Sequence, residues 1–209
     1  APLSAKSIKN IHGVLHKALK QAVLIGYLRT NPTEACILPR IIRKEMHPLE
    51  EDQVAVFLRE VQGHPHEYLY KIALFTGLRE GEVLGLGWEH IDFQAGTLTV
   101  KRQLRREQKK GGEYYFSPPK NNKSRCLTLA PSVIQLFRLQ KLEQNSMRME
   151  AGDAWEEHGL IFTNQTGGYL SYRTVYDCFK RIVRNIGAPA TRFHDLRHTF
   201  AVASIKKRQ

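Results

Sequence analysis

The sequence is poor in cysteine and has no long apolar run. Its three cysteines, Cys36, Cys126 and Cys178, lie far apart and form no C-x-x-C pair. This argues against a disulfide scaffold or a zinc ribbon and fits a reducing cytoplasm. No apolar run is long enough to cross a bilayer. The opening residues "APLSAKSIKN" lack the apolar segment of a secretory signal peptide.

Acidic residues are also in short supply. The 209 residues include 32 Lys and Arg but only 20 Asp and Glu, which gives a formal net charge of +12. The basic residues are spread along the chain rather than gathered in one tail. This balance indicates a polyanionic partner, and nucleic acid is favoured over an acidic membrane surface. The length suits one large domain or two small ones.

Hydrophobic periodicity predicts a mostly helical chain with one small sheet. A first helix over 4–28, capped by Ser4 or Ser7, precedes Asn31-Pro32 and a basic linker, "ILPRIIRKEMHP". Alternating apolar residues predict an antiparallel sheet over 91–130, with "RREQKKGGE" and "PPKNNKS" as its turns. The remaining predicted elements are a short strand at "GLIFTN" and helices at about 48–61, 67–75, 131–149, 171–186 and from 194 onward.

The densest group of chemically active side chains lies in "RFHDLRHTF", which places His194, Asp195, Arg197 and His198 at helical spacing. Three interpretations compete. The stretch could simply start a helix, with Asp195 at its positive end and half-buried histidines. It could bind a metal, since His194 and His198 are spaced as in zinc helices, although Arg197 would put a cation beside the ion. It could instead clamp a phosphate, with histidine donating to one oxygen and arginine to two.

A phosphate clamp needs a second arginine, because a phosphoryl transition state spreads charge over several oxygens. The stretch "TGLREGE" supplies Arg79 directly after the helix-breaking pair Thr76-Gly77. Glu82, three positions further on, is spaced to hold the Arg79 guanidinium in one rotamer. Taken alone, the two residues are equally compatible with an ordinary surface Arg–Glu pair.

Three boxes in a fixed order, "TGLREGE", "PKNNKSR" and "HDLRHTF", resemble the tyrosine recombinase (phage integrase) family. The whole chain is most similar in style to integrases of phages and conjugative transposons of Gram-positive bacteria. The resemblance implies an α+β fold that is mostly α-helical with a small antiparallel β-sheet. Residues 1–46 resemble the C-terminal part of a helical, SAM-like core-binding domain with its linker. Residues 47–209 resemble the integrase catalytic domain without its C-terminal end.

The resemblance also implies roles for the first two boxes. Arg79 matches the first catalytic arginine, and Glu82 matches the acidic residue that accompanies it. Lys120 matches the lysine on the hairpin of the sheet, and Lys123 stands as an alternative. In the implied reaction the lysine protonates the leaving 5′ oxygen of DNA. A lysine does this near neutral pH when neighbouring cations depress its pKa.

The third box completes the implied site. His194 and Arg197 match the His-x-x-Arg box of the family, while His198 is a supporting residue and Asp195 a structural one. The implied chemistry is DNA transesterification without a metal or a cofactor. A tyrosine hydroxyl attacks a backbone phosphate, forms a 3′-phosphotyrosyl link and releases a 5′-hydroxyl that can reverse the step. Arg79 and Arg197 would neutralise the non-bridging oxygens as charge develops.

The family's tyrosine nucleophile has no counterpart in the sequence. In the family it follows the His-x-x-Arg box, whereas no tyrosine occurs here after Tyr176. We therefore expect these 209 residues to bind DNA weakly and to form no covalent intermediate. Tyr169, Tyr172 and Tyr176 precede the box, and we expect them to pack or stack rather than to attack DNA.

The resemblance implies double-stranded DNA as the partner, self-association on paired DNA sites, and DNA-bending accessory proteins in some systems. It implies no membrane partner and places the protein in the bacterial cytoplasm, at the nucleoid. The basic stretch "LRREQKKGGEYYF" fits either a hairpin that tracks the DNA backbone or an exposed turn with two core-facing tyrosines.

Two other functions use the same residues. One is a non-catalytic DNA-binding protein, a truncated or decayed integrase that occupies attachment sites without cutting. The other is a metal-dependent nuclease that uses His194, Asp195 and His198. A chelator would inactivate the nuclease and would leave a recombinase unaffected.

Overall fold

A computed structural model describes residues 2–42, 46–109, 111–120 and 122–206. The chain divides into two compact units, one up to Glu45 and one from Met46 onward. The division falls close to the domain boundary expected from the sequence. The identification of the two units as core-binding and catalytic domains stays a prediction. Part of the basic linker, residues 43–45, lies outside the described residues.

The first unit consists of one long helix and a short 3₁₀ turn. Helix α1 (Ala5–Leu24) begins at Ser4, whose hydroxyl accepts a hydrogen bond from the Ser7 amide at 3.1 Å. The 3₁₀ turn (Pro32–Ala35) packs against α1, where the His16 Nδ1 atom lies 2.9 Å from the Thr33 hydroxyl oxygen. The predicted helix and its Ser4 cap are therefore present.

The second unit packs its helices and short strands around one hydrophobic core. Its aromatic centre stacks edge to face, with ring centroids 6.1 Å apart for Phe57 and Phe179 and 5.5 Å apart for Phe179 and Phe193. The Tyr70 hydroxyl inside this core donates to the Val175 carbonyl at 2.8 Å. The helices that supply the core and the site are α2 (Glu51–Glu60), α3 (Glu67–Thr76), α4 (Glu80–Leu84), α5 (Pro131–Ala151), α6 (Tyr172–Asn185) and α7 (Phe193–Lys206).

The strands between α4 and α5 form two small antiparallel sheets rather than the single sheet predicted over 91–130. The first sheet has the order β1 (Ile91–Asp92), β2 (Thr97–Val100) and β5 (Arg125–Thr128), and the second pairs β3 (Gln103–Arg106) with β4 (Tyr114–Ser117). Pro118 and Pro119 lie between β4 and β5 and have no amide hydrogen to donate, so the ladder is interrupted there.

The strand predicted at "GLIFTN" is wrong, since the described residues show only isolated pairings there, Gly87 with Leu160 and Thr163 with Tyr169. Side-chain amides of α5 take the place of a strand partner. Gln144 is buried and donates to the Leu160 carbonyl at 2.8 Å, which satisfies that backbone group without a ladder.

The prediction of a mostly helical α+β fold with a small antiparallel β component is confirmed. Within the described ranges, none of the helices combines the length and the apolar character that a membrane span requires.

Candidate active site

The site begins at the loop that joins α3 to α4. Gly77 ends α3 in the left-handed region, with φ of 61°, and its amide donates to the Ala73 carbonyl. A Cβ atom on Gly77 would lie 2.5 Å from Cδ1 of Phe200 on α7. Glycine is therefore required both by the backbone conformation and by the close approach of α7. Arg79 follows as the N-cap residue of α4.

Arg197 on α7 is fixed against this same loop. Its Nη1 atom donates to the Gly77 carbonyl at 2.6 Å, although the two residues are 120 positions apart. That carbonyl lies at the negative end of the α3 dipole, which favours a cation there. Burial lowers the pKa of Arg197, and the neighbouring charges of Arg79 and Arg125 lower it further. The predicted first and third boxes are thus in contact.

A single buried carboxylate links two of the arginines. The Glu82 side chain is 1% exposed and accepts hydrogen bonds from the amide and Nη1 of Arg79, both at 2.9 Å. Arg125 at the start of β5 grips both carboxylate oxygens, with Nη1 at 2.9 Å from Oε1 and Nη2 at 2.6 Å from Oε2. Burial would raise the pKa of Glu82, but the hydrogen bonds from Arg125 and Arg79 bring it down to about 2. Glu82 therefore stays ionised and neutralises part of the arginine charge.

The two histidines of the third box lie side by side next to the arginines. The ring centroids of His194 and His198 are 5.1 Å apart in an edge-to-face arrangement. Burial lowers the pKa of His194, and the charges of His198, Arg197 and Arg79 add to that effect. The neutral form of His194 is therefore favoured, and in that form its ring offers one nitrogen as donor and the other as acceptor.

Asp195 has a structural part in the same helix. It is fully buried, and its oxygens accept from the backbone amide, Nε and Nη2 of Arg192 at 2.8–2.9 Å. Both carboxylate oxygens are committed to closing the first turn of α7, which agrees with its expected structural role. Among residues 2–42, 46–109, 111–120 and 122–206, no three His, Cys, Asp or Glu side chains are grouped to hold a metal ion.

The predicted lysines lie on the turn between β4 and β5. Lys120 and Lys123 are both exposed, and the Asn122 amide closes a tight turn on the Pro119 carbonyl at 2.7 Å. Asn121, in the same predicted turn, lies outside the described residues. The structure brings together Arg79, Glu82, His194, Arg197 and His198. It places Lys120 and Lys123 on the exposed turn that leads into Arg125.

Arg125 is the site residue that sequence reasoning missed. It was visible only as the last letter of "PKNNKSR", and it reaches Glu82 from 43 positions away. One signal was available. Glu82 lies in the apolar stretch "GEVLGLG", and a carboxylate buried there needs more donors than one arginine supplies.

Nearby tyrosines are mostly committed to packing. Tyr114 stacks on Tyr169 with ring centroids 5.2 Å apart, and Tyr172 donates its hydroxyl hydrogen to the Leu104 carbonyl. Tyr176 is 40% exposed and Tyr115 is 44% exposed. In the basic hairpin, therefore, one tyrosine packs and the other is exposed, rather than both facing the core.

Residues 47–208 match the model of the phage integrase family. A XerC-like tyrosine recombinase of Caldanaerobacter subterraneus subsp. tengcongensis is 28% identical over 214 residues, which cover 95% of this chain and 55% of the relative. An integrase of Streptomyces ambofaciens is 28% identical over 209 residues, or 95% of this chain and 52% of the relative. The chain thus spans about half the length of these curated relatives.

Among solved structures, the Tn1549 transposon integrase in complex with transposon right end DNA superposes with a TM-score of 0.82. The alignment covers 99% of this chain and 69% of that chain at 24% sequence identity. At this identity the likeness establishes the fold, and it agrees with the resemblance to transposon integrases seen in the motifs.

Proposed function

Since the chain belongs to the phage integrase family, we propose that it carries the phosphate-binding site of a site-specific tyrosine recombinase. The observation that carries the proposal is the convergence of Arg79, Arg125 and Arg197 around the buried carboxylate of Glu82. Three guanidinium charges and one carboxylate leave two net positive charges in a half-buried site. A DNA phosphodiester carries one negative charge and gains a second as a nucleophile attacks, so the charges of site and transition state match.

The side chains divide the work of the transesterification. Arg79 and Arg197 bind the non-bridging oxygens, and neutral His194 donates to the phosphate or accepts the proton of the attacking tyrosine. The tyrosine oxygen forms a bond to phosphorus while the bond from phosphorus to the 5′ oxygen breaks. Lys120, or Lys123 in its place, gives a proton to that leaving oxygen. The phosphotyrosyl bond keeps the energy of the broken bond, so rejoining needs no cofactor.

The 209 residues contain no tyrosine beyond Tyr176. We propose that by themselves they bind double-stranded DNA without forming the phosphotyrosyl link. The 209 residues alone would then be a non-catalytic DNA-binding protein, which is the second candidate function. The Tn1549 integrase, which shares this fold, was solved with DNA. We further propose that the protein acts in the bacterial cytoplasm and associates with itself on paired DNA sites. Accessory proteins of the mobile genetic element would bend the DNA between those sites.

The experiment uses a form of the protein that includes the nucleophilic tyrosine, and a nicked suicide substrate that traps the covalent complex. Arg79→Ala and Arg197→Ala should each slow cleavage by about 10²–10³-fold, since one preorganised contact contributes roughly 3–4 kcal/mol. DNA affinity should fall by less than about tenfold, because many other phosphate contacts remain.

Arg148→Ala is the matched control, because Arg148 forms an exposed ion pair with Glu157 at 2.9 Å on a different part of the domain. It should cleave within about twofold of the unmodified protein. Cleavage by the Arg79 or Arg197 variant at a near-normal rate would remove the basis for the phosphate clamp.

A further inference from the structure

We propose that Arg125 is a positioning residue that anchors the turn carrying Lys120 to the carboxylate that orients Arg79. The inference rests on the proposed function, because it assigns Arg125 a part in delivering the proton to the leaving 5′ oxygen. Arg125 is the last residue of the second box, "PKNNKSR", and the sequence analysis assigned it no role.

The turn that carries Lys120 and Lys123 is held at its two ends. At its start, Gln103 Nε2 donates to the Pro118 carbonyl at 2.7 Å. At its end, Arg125 pairs with Val100 in the β2–β5 ladder and directs its guanidinium to Glu82. Lys120 and Lys123 between these anchors are exposed. The position of both lysines therefore depends on where the two ends are fixed, and Arg125 is the anchor on the side of the phosphate site.

The geometry separates the task of Arg125 from that of Arg79. Arg125 uses Nη1 and Nη2 together on the two oxygens of Glu82, a bidentate arrangement that fixes the plane of its guanidinium. Arg79 places only Nη1 on the carboxylate and keeps its other donors for a phosphate, with 34% of its side chain exposed. Arg125 is therefore committed to Glu82, and we assign it to positioning rather than to phosphate binding.

Electrostatics place Arg125 close enough for this role. Its charge is among those that lower the pKa of Arg197, after burial and the charge of Arg79. The hydrogen bonds that Arg125 donates to Glu82 raise the pKa of Arg125, so its guanidinium stays charged at neutral pH. A shift of Arg125 away from Glu82 would therefore also move the end of the turn that carries Lys120 and Lys123.

The test compares two DNA substrates with the tyrosine-containing form of the protein. One is the ordinary site, and the other has sulfur in place of the bridging 5′ oxygen of the cleaved phosphate. A thiol has a pKa near 8.5 and leaves without protonation, so cleavage of the sulfur substrate does not need the lysine. We expect Arg125→Ala to cleave the oxygen substrate about 10–100-fold more slowly, because general acid catalysis contributes about 10²–10⁴-fold and a displaced lysine would lose only part of it.

On the sulfur substrate, Arg125→Ala should cleave within about threefold of the unmodified protein. Lys120→Ala should likewise be slow on the oxygen substrate and near normal on the sulfur substrate. The double variant Lys120→Ala with Arg125→Ala should cleave the oxygen substrate little more slowly than Lys120→Ala alone, since the two residues act on one step. Arg79→Ala should be slow on both substrates. Arg125→Gln, which can keep one hydrogen bond to Glu82, is the second variant if Arg125→Ala folds poorly.

The ratio of the two rates is measured on one preparation, so a partly unfolded fraction cancels. An unchanged ratio in both Arg125 variants, whether both rates are normal or both are slow, would overturn the positioning role while leaving the recombinase proposal intact. If the unmodified protein forms no covalent complex with either substrate, the proposed function and this inference fail together.

Discussion

Replacing Glu82 with glutamine should destabilise the second unit strongly, although only one atom changes. The carboxylate is 1% exposed and accepts from Arg79 and from both Nη atoms of Arg125. Glutamine offers one acceptor oxygen and turns an amide group with two donors towards the same guanidinium groups. Two partly buried cations would then lose their neutralising partner, which is among the costly changes in a folded protein.

The magnitude follows from the pKa of Glu82, which falls from 4.5 to about 2 on folding. A shift of that size corresponds to about 3 kcal/mol of stability at pH 7. The folded pKa is depressed, so the contribution is complete above the unfolded value of 4.5 and is lost as pH falls towards 2. The difference in stability between the unmodified protein and Glu82→Gln should therefore narrow as the solution is acidified below pH 4.5.

Urea unfolding followed by tryptophan fluorescence measures this difference. Both tryptophans, Trp88 and Trp155, lie in the second unit, so the signal reports the unit that contains Glu82. With a denaturant slope of about 2 kcal/mol per molar, the loss should move the midpoint by roughly 1.5 M. Glu107→Gln is the control, because the exposed Glu107 side chain forms an ion pair with Lys109 at 2.8 Å and should change stability by less than about 0.5 kcal/mol.

Two results would refute the reasoning. One is a loss of less than about 1 kcal/mol in the free energy of unfolding at pH 7, which would mean that the arginine charges do not need Glu82 to neutralise them. The other is a difference that stays constant between pH 7 and pH 3, because a carboxylate with a depressed pKa cannot give that result.

Two further predictions concern a neighbouring acid and the nucleophile. Glu80 has one buried oxygen without a hydrogen-bond partner among the described residues, and burial raises its pKa to about 7. The free energy of unfolding therefore falls as pH rises from 4.5 to about 7, because in that range the unfolded chain ionises Glu80 more readily than the folded one. Glu80→Gln should raise the free energy of unfolding, measured in urea, by up to about 3 kcal/mol at pH 8 and by almost nothing at pH 4. Equal gains at both pH values would contradict this. Supercoiled plasmid incubated with the 209-residue chain should stay supercoiled, and relaxed topoisomers on a gel would show that another residue replaces the missing tyrosine.

The parts of the site that sequence alone predicted are those made by neighbours in the chain. The Arg79–Glu82 pair spans a separation of three positions, and His194 and Arg197 share one helix face, so spacing was sufficient. Helix ends followed from local chemistry too, such as the Ser4 cap.

Contacts between distant segments could not be read from spacing. Whether β2 would pair with β3 or with β5 depends on where the ladder stops, and the register ends at Val100 and Arg125. Alternation of apolar residues is the same in one sheet and in two, so the pattern could not separate them. The same ambiguity hid Arg125, whose partner is fixed by the fold and not by any local motif.

Gly77 has one role that the sequence predicts and a second role that only the fold shows. As a helix breaker it was evident from the sequence, since glycine adopts positive φ at low cost. The fold adds a second requirement, because its carbonyl accepts from Arg197 and its missing Cβ lets Phe200 approach. The Gly77 carbonyl oxygen therefore ties Arg197 to the loop that ends α3 and leads into Arg79. In the proposed phosphate site, a backbone atom would thus fix Arg197 against that loop, which is more rigid than a contact between two long side chains in solvent.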